Sequence, residues 1–269
     1  MALANLLGMV GKDGATDSTQ DPTPRPLTTS MLRISSHREC PLILDLEQKA
    51  AQEYFAILRS RVINSCKKSG IRSLLITSPQ QEDGKSFISL NLAITIAQLR
   101  HGDVLLIDGD LRLSRISELL DSREGLGLAS FLQGAHQLEE CIHPTGVPHL
   151  FVLPAGSVTP GTLPRILEGT RWPEVLQRTK QRFDLVLVDS VPTTAPIADG
   201  ELLLSACDAA LLVVHMRKTT RDALDASTRR ISEKLLGVVI NRMEQQSDSQ
   251  YYSHHDSHRP ANYDSTTAR

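Results

Sequence analysis

The feature that most constrains this chain is an alternation. Short apolar runs rich in β-branched residues stand at Ser73–Thr77, Val104–Ile107, Leu150–Leu153, Leu185–Val188, Ala209–Val214 and Gly237–Ile240. Between them lie segments of helical period at 84–100, 114–121, 163–181, 199–206 and 219–235. Apolar runs without polar alternation suit strands buried on both faces, and strands alternating with helices imply a mostly parallel sheet with helices on both faces. A further helix is expected from about Leu46 to Cys66, with Ala50, Tyr54, Ile57, Leu58 and Val62 as its apolar stripe.

Composition sets the limits around that core. The 269 residues hold 29 Lys plus Arg against 31 Asp plus Glu, a balance that argues against a dedicated nucleic-acid binder. Cysteines at 40, 66, 141 and 207 form no C-x-x-C pair and read as reduced, mostly buried thiols of a cytosolic protein. No apolar run approaches the ~18–20 residues that span a bilayer, and the start MALANLLGMVG lacks the basic region of a signal peptide. Residues 1–40 are expected to be disordered or loosely docked, 41–243 to form the folded domain and 244–269 a flexible tail. Tyr251, Tyr252 and Tyr263 fall in that tail, and only Tyr54 lies elsewhere. His254, His255, Asp256 and His258 read as part of the polar tail, not as a metal site, and Arg217, Lys218, Arg221, Arg229 and Arg230 as a solvated helix face.

Three strand ends carry chemistry. Strand 73–77 runs into Ser78-Pro79-Gln80-Gln81-Glu82-Asp83-Gly84-Lys85-Ser86 and then a helical pattern. A strand, a tight loop and a helix opening on Gly-Lys-Ser suit a phosphate loop: Gly84 permits close backbone approach, Lys85 reaches the outer phosphates and Ser86 ligates Mg²⁺. The general pattern also wants a Gly where Pro79 stands. Strand 104–107 ends in Asp108-Gly109-Asp110-Leu111-Arg112, and strand 185–188 ends in Asp189. Each carboxylate alone could be a helix cap, but together with Lys85 they imply a Mg²⁺-nucleotide site at the carboxyl edge of the sheet.

These motifs resemble those of a known family. The run Thr77 to Ser86, the apolar-D-x-D-x-R block from Leu105 to Arg112, Asp189-Ser190-Val191-Pro192, Leu153-Pro154-Ala155-Gly156 followed by Pro160, and the strands at Asp208–Val214 and Gly237–Asn241 are similar to those of the bacterial tyrosine kinases of polysaccharide export. These BY-kinases belong to the MinD/ParA-like P-loop ATPases. The D-x-D-x-R block separates the kinases from MinD- and ParA-like ATPases, which would carry a Lys where Gln80 stands. The resemblance covers about Glu53 to Arg242 and extends to the tail.

The resemblance implies a P-loop NTPase fold, ATP and Mg²⁺ as cofactors, and autophosphorylation of tail tyrosines in trans. Ser78, Asp83, Gly84, Lys85, Ser86, Phe87, Arg112 and Asn241 would line the nucleotide, with Asn241 near the adenine. Ser86, Asp108 and Asp189 would hold Mg²⁺, and Asp110 would accept the tyrosine proton. Tyr251, Tyr252 and Tyr263 would be phosphoacceptors. Glu53 and Arg59 match the ends of an E-x-x-R-x-x-R ring-assembly helix whose middle Arg is Ala56 here. The chain starts at its own Met and lacks spans, so it resembles the split form, which acts at the inner face of the membrane through a membrane-embedded polysaccharide co-polymerase. Gln81 and Glu82 stand where the family has Pro-Gly, and Val191 where it has Pro. These departures leave two alternatives open: a degenerate regulator with weak or no turnover, and a MinD/ParA-like ATPase.

Overall fold

The computed structural model describes residues 26–34, 42–43, 49–122, 125–158, 161–167, 171–195 and 198–243. Tyr251, Tyr252, Tyr263, the tail histidines and most of the expected N-terminal segment lie outside them. The elements run α1 (Lys49–Ser69), β1 (Ser73–Thr77), α2 (Lys85–Ala97), β2 (Val104–Asp108), α3 (Arg115–Leu119), α4 (Leu128–Leu132), a 3₁₀ turn (Leu138–Cys141), β3 (His143–Pro144), β4 (Leu150–Leu153), α5 (Leu163–Leu167), α6 (Trp172–Arg182), β5 (Leu185–Asp189), α7 (Ala198–Ala206), β6 (Ala209–His215), α8 (Arg221–Arg230) and β7 (Leu235–Asn241).

The strands form one seven-stranded sheet in the order β3-β4-β2-β5-β1-β6-β7, parallel except for the short edge strand β3. Alternate side chains of each strand feed two cores. Leu74, Ile76, Leu106, Leu187, Leu211 and Val213 pack under α1, α2 and α3. Leu75, Leu105, Ile107, Val186, Val188 and Leu212 pack under α4, α6 and α7, around the fully buried Phe131 and Trp172. The central strands are buried on both faces, which is why they show no polar alternation.

Several elements differ from the sequence expectation. The stripe of α1 is shifted: Phe55, Val62 and Cys66 are buried with Ala51 and Leu58 against them, whereas Tyr54 is 63% exposed and Ile57 51% exposed. Phe55 sets this rotation through its edge-on contact with Phe87 of α2 (centroids 5.8 Å apart). The single helix expected over 163–181 is two, because Pro173 sits in the first turn of α6, where its missing N–H costs nothing. Helix α8 ends at Arg230 instead of reaching residue 235, and Leu235 already pairs in β7. The small elements between residues 128 and 144 were not anticipated, since segments so short show no period. Residues 26–34 are docked: Leu32 bridges Thr145, and the Ser30 carbonyl lies 3.2 Å from His143 Nδ1. Cys66, Cys141 and Cys207 are free and buried. Among the described residues no helix is long and apolar enough to cross a membrane.

Asp208 anchors the end of the sheet opposite the strands' carboxyl ends. Its Oδ2 accepts the N–H groups of Arg72 and Ser73 at 2.9 Å each, and its Oδ1 accepts from Lys180 at 2.9 Å. Burial alone would raise this carboxyl, but the Lys180, Arg72 and Ser73 bonds outweigh it and hold its pKa below the ordinary value. The stability it supplies is therefore complete above that ordinary value and drains as pH falls through the depressed one. Asp208→Ala should cost about 1–2 kcal/mol in urea unfolding at pH 7, and less as pH is lowered below about 4. A cost that does not change with pH would show that the carboxylate charge is not what matters.

Candidate active site

Strand order brings the three functional strand ends together. β5 lies between β1 and β2, and the parallel register aligns Asp108 of β2 directly with Asp189 of β5. Adjacent strands are ~4.8 Å apart, so two carboxylates leave the sheet side by side. Gly109 follows Asp108, and its N–H donates to the Asp189 carbonyl at 2.8 Å. A Cβ on Gly109 would come within 2.7 Å of that same carbonyl oxygen, so the residue between the two aspartates has to be glycine.

The loop after β1 supplies the cation. Gly84 precedes α2 in a left-handed conformation (φ 95°), and the first intrahelical bond runs from Ile88 N–H to the Gly84 carbonyl. The amides of residues 85–87 thus stand at the open, positive end of a thirteen-residue helix. Lys85 is 7% exposed, with its Nζ 3.3 Å from Asp110 Oδ2 and 3.5 Å from Ser86 Oγ. Burial would lower the Lys85 pKa, but the Asp189 and Asp110 carboxylates outweigh it and raise it.

Each carboxylate has a distinct set of partners. Asp189 Oδ2 accepts from Ser86 Oγ at 2.6 Å and its Oδ1 from Ser89 Oγ at 3.0 Å. Asp110 Oδ1 accepts the N–H groups of Arg112 and Leu113, and its Oδ2 faces Lys85. Asp108 Oδ2 accepts both the N–H and the hydroxyl of Ser117, while its Oδ1 is buried without a hydrogen-bond partner. Burial and then the Asp189 charge push the Asp108 carboxyl up to about 7. Asp189 is also raised by burial, against the opposing effects of Lys85 and Ser86.

The remaining residues singled out in the sequence take different places. Asp83 is fully buried and staples the loop: its Oδ2 accepts the Gln80 N–H and its Oδ1 the hydroxyl of Thr219. Ser78 donates its hydroxyl to the Gln80 carbonyl and so serves the loop's own turn. The Phe87 ring packs on Phe55, which leaves its backbone amide as its contribution to the loop. Asn241 Nδ2 donates to the Asp83 carbonyl and fills the space beside Gly84, where a Cβ would collide with it. The Arg112 side chain is exposed. Glu53 is exposed on α1, and Arg59 donates to the Thr95 carbonyl of α2.

Ser89, Ser117, Lys218 and Thr219 were not anticipated as parts of the site. Lys218 was expected on a solvated helix face, but it sits in the loop after β6 and donates to the Gln81 carbonyl and to Glu82 Oε2 (3.0 and 2.7 Å). Thr219 was expected as the first residue of the helical segment 219–235, but it lies in the loop before the N-cap Thr220 of α8. Thr193 and Thr194 tie the loop from its other side through the Ser78 and Pro79 carbonyls.

Glu82 has φ 65°, a left-handed conformation that glycine adopts without strain, and its side chain is 85% exposed beside Lys218. The hydrogen bond and charge of Lys218 hold its pKa below the ordinary value. The negative charge is thus turned outward and matched. Glu82→Gly relaxes the backbone and gives up only an exposed ion pair, so Tm should stay unchanged or rise. A fall of several degrees would mean that the Lys218 latch holds the loop.

The buried acids make stability depend on pH. A carboxyl whose folded pKa is raised binds a proton that the unfolded chain has lost, so its penalty grows from the ordinary value, 3.8, up to about 7. In nucleotide-free, metal-free protein, Asp108→Asn should therefore gain stability relative to the wild type between pH 5 and pH 8, read as Tm at each pH. Parallel Tm curves would overturn that assignment.

Comparisons with known proteins bear on the fold and the family. No protein-family model matches the chain. It is 30% identical over 201 residues to the tyrosine-protein kinase CpsD of Streptococcus agalactiae, covering 73% of this chain and 86% of that protein. It is 28% identical over 210 residues to the tyrosine-protein kinase YwqD of Bacillus subtilis, covering 76% of this chain and 87% of that protein. Among solved structures, the kinase domain of the Escherichia coli tyrosine kinase ETK matches with TM-score 0.67 and 25% identity, over 80% of this chain and 92% of that one. The chimerical protein CapA2B2 matches with TM-score 0.69 and 24% identity, over 81% and 96%. The MinD protein of Pyrococcus horikoshii, complexed with Mg-ADP, matches with TM-score 0.55 and 22% identity, over 65% and 72%. The fold is that of the P-loop NTPases, and the chain belongs to the bacterial tyrosine-protein kinase (BY-kinase) family.

Proposed function

We propose that this protein is an ATP- and Mg²⁺-dependent protein-tyrosine kinase. It phosphorylates Tyr251, Tyr252 and Tyr263 of neighbouring copies in trans and so regulates exopolysaccharide or capsule synthesis and export. The observation that supports this most is the buried cluster of Asp108, Asp110 and Asp189 around the single ammonium of Lys85, with one oxygen of Asp108 left without a protein partner. A buried acidic excess of this kind suits a divalent cation, and the hydroxyl of Ser86 beside Asp189 completes a fitting set of hard oxygen donors.

Phosphoryl transfer is mostly positioning and charge neutralisation. Bound Mg²⁺ would neutralise charge on the β- and γ-phosphates, with Ser86, Asp108 and Asp189 holding it directly or through water. The amides of residues 85–87 would cradle the phosphates. Lys85 would leave Asp110 for the outer phosphates, which releases Asp110 Oδ2 to take the proton of the incoming tyrosine. The tyrosine oxygen then bonds to the γ-phosphorus as the bond to the ADP oxygen breaks. Arg112, exposed at the mouth, and Asn241, beside the loop, are assigned to the nucleotide's periphery. Each added phosphate brings about −1.5 to −2 charges, which would repel neighbouring tails and loosen a ring built on the α1 face that bears Glu53 and Arg59. The partner would be a membrane-embedded polysaccharide co-polymerase that brings the kinase to the inner face of the membrane. That a structural relative is a chimerical protein, CapA2B2, is in keeping with a kinase that works joined to a second protein.

The outward turn of Glu82 favours this reading over a degenerate regulator, since it keeps the carboxylate off the phosphates. Full-length protein incubated with ATP and Mg²⁺, with and without the activator's cytoplasmic segment, should acquire phosphotyrosine at tail positions. Lys85→Met should abolish it, and Asp110→Asn should slow it by about 10²–10⁴-fold. Lys85→Met protein mixed with a chain whose three tail tyrosines are Phe should itself become labelled, as transfer in trans requires. ATP hydrolysis with nucleotide-dependent dimers and no phosphotyrosine would instead identify a MinD-like ATPase, and absence of ATP binding a degenerate regulator.

A further inference from the structure

We propose that Ser117 is the positioning residue of Asp108, and that it couples the Leu153-Pro154-Ala155-Gly156 loop to the cation site. The inference rests on the kinase reading above and assigns parts to residues which that reading leaves unused.

The argument begins with hydrogen-bond direction. Ser117 Oγ lies 2.7 Å from the Ala155 N–H and 2.6 Å from Asp108 Oδ2. A backbone N–H can only donate, so the hydroxyl accepts from Ala155 and its one proton points at Asp108. The Ser117 N–H adds a second bond to the same carboxylate oxygen at 2.8 Å. Two donors on Oδ2 and none on Oδ1 make the two oxygens unequal. Oδ2 is held by protein, so the carboxylate cannot rotate about its last torsion without losing two buried bonds. Oδ1 is the oxygen left to face a cation or its water.

The support for Ser117 is itself rigid. Ser117 is fully buried, and its carbonyl accepts the N–H and the hydroxyl of Ser122 (2.8 and 3.2 Å). On the other side, the 154–156 loop is seated against α4 through Leu128 N–H to the Pro154 carbonyl and Ala129 N–H to the Ala155 carbonyl. A continuous path therefore runs from α4 through the Ala155 amide and Ser117 to Asp108. This gives the Leu-Pro-Ala-Gly block a chemical reason: its third residue presents a backbone donor whose only demand is a correctly placed amide. Groups that orient a metal-binding carboxylate in this way typically change metal affinity by about 10–100-fold when removed.

The test separates positioning from folding by using two titrations on the full-length chain. ADP affinity is measured in EDTA, and the Mg²⁺ concentration that half-saturates the Mg²⁺-dependent gain in ADP affinity is measured alongside. Ser117→Ala should raise that Mg²⁺ concentration by at least about tenfold and leave metal-free ADP affinity within about twofold of wild type. In an Asp108→Asn background, adding Ser117→Ala should change neither value, because the group through which Ser117 acts has lost its charge. Wild-type Mg²⁺ dependence in Ser117→Ala would overturn the positioning role. Loss of metal-free ADP binding in that variant would do so as well, by assigning Ser117 to folding of the site. If the wild type itself shows no Mg²⁺-linked ADP binding, it is the kinase reading that fails, and the positioning role falls with it.

Discussion

The structure depends on burying more carboxylates than cations at one edge of a parallel sheet. Asp108, Asp110 and Asp189 are at most 1% exposed, and Lys85 is the cation among them. Buried charges are tolerated only when paired or hydrogen-bonded, and here the compensation is incomplete. Two hydroxyls hold Asp189, two backbone amides and Lys85 hold Asp110, and Ser117 holds one side of Asp108. The remaining imbalance shows at Asp108, whose carboxyl is pushed up to about 7 by burial and by the neighbouring Asp189 charge. A fold optimised for stability alone would place apolar residues there. The proposed binding of Mg²⁺ and nucleotide gives that cost in stability a use.

The rest of the architecture keeps that arrangement in register. Strand pairing aligns Asp108 with Asp189, and Gly109 lets their backbones close to a hydrogen bond. The loop after β1 is clasped from both flanks. On one side Thr219, Lys218 and Asn241 bond to Asp83, Gln81 and Glu82. On the other side Thr193 and Thr194 hold Ser78 and Pro79. Pro79 stands where the general phosphate-loop pattern has glycine. The clasp shows how a loop with a proline there and a left-handed Glu82 can still present Gly84 and Lys85: the neighbouring β5–α7 and β6–α8 connections fix its shape, and its own sequence does so only in part.

What could be read from the sequence follows the reach of each interaction. Five of the six long strands were legible to within one residue, because buried parallel strands must be continuous apolar runs. The sixth, β7, was placed correctly but begins two residues early, since an edge strand has weaker constraints on its ends. Strand-end Asp108, Asp110 and Asp189 and the loop Lys85 were found because each follows a recognisable strand. Ser89 was hidden inside a helical period, and Ser117 in a five-residue helix. Their roles come from the distances their hydroxyls keep across the fold, which no local pattern encodes. The expected stripe of α1 holds at Leu58 and Val62 but not at Tyr54 and Ile57, because the local pattern does not choose Phe55 as the buried aromatic, whereas its contact with Phe87 across the fold does.

Lys85 connects these observations into one consequence. Its ammonium is shared in this structure with Asp110, the same carboxylate that would receive the tyrosine proton. While Lys85 Nζ lies 3.3 Å from Asp110 Oδ2, that oxygen is engaged by a donor. Phosphates compete for the same ammonium with more negative charge than one carboxylate offers. On the proposed kinase reading, nucleotide binding and the freeing of Asp110 would thus be one electrostatic exchange, not two events. On that reading the resting site keeps Asp110 paired to Lys85, and Asp110 would become available only when the group to be transferred is present. In a chain whose proposed acceptors sit on its own tail, that exchange would keep Asp110 paired whenever the nucleotide is absent.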